Sequence, residues 1–273
     1  MSHTYEPTNL PAFKRQLKLK KEQMKMETNL QPHIRIGNGH EVQYALLPGD
    51  PGRVEEVAKF LEDPVELAHN REYKTIKGFY KGVPIFVTST GIGGVSAGIA
   101  IEELKNIGVK GMIRIGSCGA LQPHIRLGDL VIASGAVRND GASYAYINKA
   151  YPAIPDTELL FHVMNAAKKN GAKNHTGIVR CHDSFYTDKE QEIDKYWSEK
   201  GILASDMETA ALFVIGGLRG IKTASILNVV VEKEGDLEGG INDYVDAKNN
   251  SKRGEELEIL TALEAFVSYD STF

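Results

Sequence analysis

The chain is poor in cysteine, in tryptophan and in net charge. Its 273 residues hold two cysteines, Cys118 and Cys181, and one tryptophan. Two cysteines cannot build a disulfide framework, and neither sits in a CxxC pair, so a reduced, cytoplasmic setting is expected. A formal charge of −4 leaves no cationic excess for a nucleic-acid partner. No apolar run approaches the roughly 20 residues that span a bilayer, and the first residues lack a signal peptide's apolar core. No GxxxxGK[ST] occurs, which excludes a P-loop. Internal repeats and low-complexity tracts are absent too.

What is present is ordinary globular usage, 42% hydrophobic and 25% charged, at a length suited to one large domain. Residues 1–30 stand apart. Lys14, Arg15, Lys18, Lys20, Lys21 and Lys25 make a basic segment with little apolar periodicity, expected to be a mobile or weakly helical arm. Residues 31–273 read as a single domain. Strand-like segments at 42–47, 83–89, 111–115, 129–133, 177–181 and 223–231 alternate with helix-like segments. Those lie at 54–60, 95–106, 156–170, 189–200, 208–218 and 254–268. Such alternation predicts an α/β fold, a three-layer αβα sandwich. The stretch 232–250, rich in Gly, Asp, Glu and Asn, is expected to be a mobile lid or surface loop.

The glycine clusters carry the chemistry. The apolar run 44–47 stops at Pro48-Gly49-Asp50-Pro51-Gly52, and Arg53 follows. Gly49 permits close backbone approach by a ligand, and Arg53 supplies a fork suited to phosphate. Taken alone, a plain strand-to-helix turn explains this segment equally well. A second cluster, Thr90-Gly91-Ile92-Gly93-Gly94-Val95-Ser96, falls between a strand and a helix, where free N–H groups can face an anion or a sugar hydroxyl. It imitates a dinucleotide fingerprint, but Ser96 replaces the third glycine. The next strand also ends without the acidic residue a ribose would need, so dinucleotide binding is rejected.

Arg114 lies inside the buried-looking run GMIRIGS, where an arginine is costly unless paired. A structural ion pair is one reading. The other is that Arg114 and Ser117 point past the strand end at an anion and complete, with Gly49 and Arg53, a dianion pocket. In Ser205-Asp206-Met207-Glu208-Thr209, Glu208 could accept from a vicinal diol while Met207 packs on the sugar. An acid-rich first helical turn is the plain alternative. Phe185 offers a stacking face for a flat base, with Lys189 and Gln191 within sequence reach of its polar edge.

Taken in order, PGDPGR (48–53), REYKT (71–75), STGIGG (89–94), RIGSCGAL (114–121), GDLVIAS (128–134), VRNDGAS (137–143), DSFY (183–186) and SDMETA (205–210) resemble the nucleoside phosphorylase I family. The likeness runs from about His33 to the C-terminus and is strongest to the bacterial uridine phosphorylases. The resemblance implies a mixed central sheet and phosphorolysis of a nucleoside to free base and ribose 1-phosphate. Inorganic phosphate is then the co-substrate, and no organic cofactor is needed. By the same resemblance, Gly49, Arg53, Arg114 and Ser117 match phosphate ligands, and Arg71 matches an arginine donated into the neighbouring subunit. His33, Met207 and Glu208 match ribose contacts, with His33 given across a dimer. Asp206 stands where the uridine enzymes often carry glutamate. Cys118, Gly119, Phe185, Val230 and Val231 fall in the base pocket. Glu72, Ile92 and Ser96 resemble a monovalent-cation (K+) site at a dimer interface. Dimers assembled as a homohexamer, a trimer of dimers, are implied.

Two departures bear on the base. Purine-specific members carry a catalytic aspartate where Val231 stands, so an apolar pair here suits a pyrimidine such as uridine or 2′-deoxyuridine. The uridine enzymes read uracil with a glutamine and an arginine two residues apart; those positions are Lys189 and Gln191. Lys189 is therefore the sequence's candidate for stabilising the departing uracilate, beside phosphate held by Arg53, Arg71 and Arg114. A purine nucleoside phosphorylase and a nucleoside hydrolase of the same fold are the alternatives. Val231 speaks against the first and the arginine set against the second.

Overall fold

In a computed structural model, the described residues are 29–235, 239, 240, 242 and 251–272. The chain runs β1 (Tyr44–Pro48), α1 (Pro51–Ala58), β2 (Glu62–Asn70), β3 (Tyr73–Tyr80), β4 (Val83–Thr88), α2 (Gly94–Asn106), β5 (Gly111–Ala120) and β6 (Leu130–Asn139). It continues through α3 (Gly141–Tyr146), α4 (Thr157–Lys169), β7 (Asn174–His182), α5 (Glu190–Glu199), β8 (Ala204–Asp206), α6 (Thr209–Arg219), β9 (Lys222–Val231) and α7 (Ser251–Asp270). The expected arm at 1–30, apart from Asn29 and Leu30, and most of the expected lid at 232–250 lie outside the described residues.

Nine strands form one mixed sheet in the order β2-β3-β4-β1-β5-β8-β7-β6-β9. The central strands are apolar on both faces: every residue of β1 is buried, as parallel strands covered on two sides require. One apolar cluster joins Ala45, Leu47, Met112 and Phe86 to α2 and α6; a second joins Leu46, Ile85 and Ile113 to α4 and α7. Helices therefore cover both faces, and the αβα expectation holds. The sheet also curls. β5 pairs in parallel with β1 and β9, then antiparallel with β8 at Gly119 and Ala120. Because β9 pairs with β6, β6 with β7 and β7 with β8, these five strands close into a ring beside the open part of the sheet.

Local chemistry fixes the ends that matter. Asp50 caps α1, accepting from Gly52 N at 2.9 Å, and Pro51 takes the first turn, where its missing N–H costs nothing. Thr90 N donates to Pro48 O and Gly91 N to Gly49 O, both at 2.9 Å, so the two glycine turns are stitched side by side. Gly91 has φ 71°, and a Cβ there would lie 2.6 Å from Ser96 Oγ and 2.7 Å from Glu72 Cγ, which excludes larger residues.

Candidate active site

A cavity of about 680 Å³ opens where β1, β4, β5, β8 and β9 end. Its walls bring together Gly49 and Arg53, Glu72, Ile92 and Ser96, Arg114, Ser117, Cys118 and Gly119, Phe185, Met207 and Glu208, and Val230 and Val231. The residues singled out from separate segments of sequence thus meet in one place, at the carboxyl ends of parallel strands where open α/β sheets bind ligands.

The arginine end is an ion-pair network. Arg114 is buried; its Nε donates to Asp206 Oδ2 at 3.0 Å and its Nη2 forms an ion pair with Glu208 Oε2 at 2.6 Å. Nη1 is buried without a hydrogen-bond partner among the described residues. Arg53 reaches Ile115 O through Nη1 at 3.4 Å and lies 3.5 Å from Glu255 and 3.9 Å from Glu258, both on α7. Asp206 Oδ2 also accepts from Thr209 N at 3.0 Å and Thr209 Oγ1 at 2.6 Å, so it ties the start of α6 to Arg114. Burial pushes the Glu208 carboxyl above its usual range although Arg114 pulls it down. Glu258, fully buried, is pushed up to about 8 by desolvation, against the pull of Arg53.

The loop 90–96 serves a different acceptor from the one its sequence suggests. Gly93 N, at the start of α2, donates to Glu208 Oε1 at 2.6 Å. The positive end of that helix is met by the protein's own carboxylate, which is thereby aimed across the cavity. Glu72 and Ser96 also touch, Ser96 Oγ donating to Glu72 Oε1 at 3.1 Å, beside Ile92, which is 80% exposed.

Four expected residues are not on the walls. Arg71 is exposed at the tip of the β2–β3 hairpin with φ 56°, a left-handed conformation that an arginine adopts at a cost of about 1 kcal/mol. His33 is tied by Nδ1 to Glu103 Oε1 at 2.6 Å, and Glu103 also accepts from the backbone N of His33 and Ile34. Lys189 and Gln191 are exposed where α5 begins, which differs from their expected place at the base. Glu190 between them lines the cavity, with His182. The reason is helical spacing: buried Arg180 attracts Glu190 and Asp194, which share one face at i and i+4, and positions 189 and 191 fall to either side. Burial raises the Glu190 carboxyl and lowers the His182 imidazole. Nothing in the sequence pattern marked these two, since a glutamate in a first helical turn is common.

The base end is otherwise apolar, with Val230 and Val231 buried and Phe185 half-buried, its ring 4.9 Å from that of Tyr186. Burial lifts the Cys118 and Cys181 thiols well above their usual range, so neither is a nucleophile at neutral pH. Among the described residues no cluster of His, Cys, Asp and Glu could hold a metal, and no helix is long and apolar enough to cross a membrane.

A guanosine phosphorylase of Halorubrum lacusprofundi is 37% identical over 217 residues, 80% of this chain and 88% of that protein. A uridine phosphorylase of Thermococcus kodakarensis is 39% identical over 78% of this chain and 81% of its own length. The crystal structure of uridine phosphorylase from Vibrio fischeri ES114, in complex with 6-hydroxy-1-naphthoic acid, superposes with a TM-score of 0.82 at 44% identity, covering 89% of this chain and 98% of that one. The model of the phosphorylase superfamily matches residues 43–263. With the arginine-lined cavity at the strand ends and a family match over most of its length, this chain belongs to the phosphorylase superfamily of enzymes.

Proposed function

We propose that the protein cleaves a pyrimidine nucleoside, uridine or 2′-deoxyuridine, with inorganic phosphate, releasing the base and (deoxy)ribose 1-phosphate. The observation that carries this reading is the convergence of buried Arg53 and Arg114 on the cavity that also holds Glu208 and an apolar base end. Cleavage of the glycosidic bond develops positive charge on the ribose and negative charge on the base. A dianion held by two forks supports the first and then attacks it. The free Nη1 of Arg114, with Gly49, Ser117 and Arg53, forms the phosphate end. Glu208, aimed by Gly93 N and Arg114, accepts from the ribose hydroxyls, and Met207 packs on the ring.

At the base end Phe185 stacks, Val230 and Val231 give an apolar wall, and Cys118 and Gly119 form the floor. Glu190 and His182, rather than Lys189 and Gln191, supply the polar contacts there. His33 and Arg71 lie on the flank, away from their own cavity, and complete the site of a neighbouring copy in a homodimer, with three dimers in a hexamer. The Glu72 carboxylate, the Ile92 carbonyl and the Ser96 hydroxyl are hard oxygen donors suited to K+ at that interface. The setting is cytoplasmic nucleoside salvage.

A 6-oxopurine nucleoside is the second reading. Glu190 favours it, because a carboxylate accepts from two neighbouring N–H groups of guanine, and the likeness to a guanosine phosphorylase points the same way. Base release from uridine, thymidine, inosine, guanosine and adenosine, measured by chromatography at saturating phosphate, separates the two. Uracil release at least tenfold above any purine supports the pyrimidine reading, and the reverse ratio replaces it.

A further inference from the structure

Among the described residues, the phosphate end crowds four buried carboxyls around few cations. Asp206 and Glu208 share Arg114. Glu255, 3.5 Å from Arg53, also pairs with Lys252 at 2.7 Å. Glu258 shares Arg53 with Glu255. It is fully buried, its Oε1 accepts from Gly116 N at 2.7 Å, and its Oε2 has no hydrogen-bond partner among the described residues while standing 3.9 Å from Arg53 Nη1. Among the described residues, Arg53, Arg114 and Lys252 thus face four carboxyls whose side chains are at most 7% exposed. Adding a dianion to that set with every carboxyl ionised would bury a large uncompensated negative charge, which proteins avoid by protonation.

We propose that Glu258 is a positioning residue for Arg53 and carries the proton that makes anion binding possible: the site holds phosphate only while the Glu258 carboxyl is neutral, and its ionisation draws Arg53 towards α7 and away from the anion. This deepens the reading of the cavity as a phosphate site and rests on it. Gly116 N occupies Oε1, so the proton belongs on Oε2, the oxygen that faces Arg53. The groups acting on Glu258 include Arg53 from α1, Arg114 and the buried Cys118 thiol from β5, and Glu255 from its own helix. Its alkaline titration near 8 sets the window for the test. Glu208, the other raised carboxyl of this end, faces Arg114 and Gly93 instead.

The test is sulfate binding to the full chain by calorimetry between pH 6.5 and 9, in buffers of different ionisation enthalpy. Sulfate is a dianion throughout, so its own titration does not intrude. The expected result is affinity falling towards tenfold per pH unit above about pH 8, with proton uptake rising towards one per sulfate, and both effects missing in Glu258→Gln. Binding without proton uptake, or the same alkaline loss in Glu258→Gln, overturns the proposal while leaving the anion site standing. A variant whose affinity drops equally at every pH would show a packing role and also overturn it. No binding of sulfate or phosphate at pH 6.5 removes the phosphate-site reading itself, and the proposal with it. Should Glu258→Gln fail to fold, Glu258→Leu takes its place and the wild-type proton count still decides.

Discussion

Arg114→Lys isolates the fork from the charge. In the wild type one guanidinium bonds Asp206 through Nε and Glu208 through Nη2, and keeps Nη1 for a ligand. An ammonium keeps the positive charge, so the two buried carboxylates are not stranded, but its three N–H donors leave one nitrogen and cannot span the separate positions that Nε, Nη2 and Nη1 reach. The ligand bond is the one lost. A hydrogen bond to a charged group contributes about 1.5–3 kcal/mol, or about 10- to 150-fold at 1.4 kcal/mol per factor of ten. kcat/KM for phosphate should fall by that factor in a uracil-release assay, and nucleoside KM should change less. Loosening one carboxylate bond lowers stability by a similar amount, which a thermal melt reads as roughly 3–12 °C. Arg114→Met is the contrasting variant: it strands both carboxylates and should lose about 3–5 kcal/mol, enough to depopulate the fold. A folded Arg114→Lys enzyme with phosphate kcat/KM within twofold of wild type would refute the assignment of Nη1 to the anion.

Further outcomes follow from the same geometry. A Cβ on Gly116 would lie 2.6 Å from Arg114 Cζ, so Gly116→Ala should push the fork aside, destabilise by about 1–3 kcal/mol and lower phosphate kcat/KM without changing the base preference. Glu258 is raised from 4.5 to about 8, so the folded state holds a proton there that the unfolded chain has lost. That contribution is full below about pH 4.5 and falls by about 1.4 kcal/mol per pH unit up to about 8. Glu258→Gln lacks this loss, and its melting temperature should gain on wild type between pH 6 and 8; parallel curves would contradict the buried protonated acid. At the base end, Glu190→Gln should alter the ratio of kcat/KM between uridine and guanosine more than tenfold, while Lys189→Ala stays within about threefold for both. The reverse pattern would return base recognition to Lys189. Phe185→Ala should raise nucleoside KM by about tenfold through lost stacking, with phosphate KM unchanged.

The parts of the fold that follow from periodicity were legible. β1, β4 and β9 are buried on both faces and read as continuous apolar runs between turn residues, and α2 and α4 start at recognisable glycine or aspartate signals. The β2–β3 hairpin was not legible. β2 is mostly exposed, contains Pro64 and Asp63, and shows no alternation, so only its pairing with β3 makes it a strand. β5 continues through Gly116 and Gly119, which read as loop, because β9 and β8 pair with those residues from either side. That Gly49, Arg53, Arg114, Ser117, Met207 and Glu208 line one cavity was legible, because glycine turns and buried arginines demand a partner whatever the fold, whereas Arg71 and His33 lie off its walls. Glu258 and Glu190 were not. Glu258 matters only because α7 returns from the far end of the chain to lie behind Arg53, and Glu190 matters only because Arg180 chooses which face of α5 turns inward.

The most direct test is base release from uridine by the purified protein, with and without inorganic phosphate, with the sugar product identified. Uracil and ribose 1-phosphate are expected in equal amounts, with no release when phosphate is omitted. Uracil with free ribose at the same rate in both conditions would mean that water is the nucleophile, and that Arg53 and Arg114 serve the structure of the strand ends rather than a bound dianion.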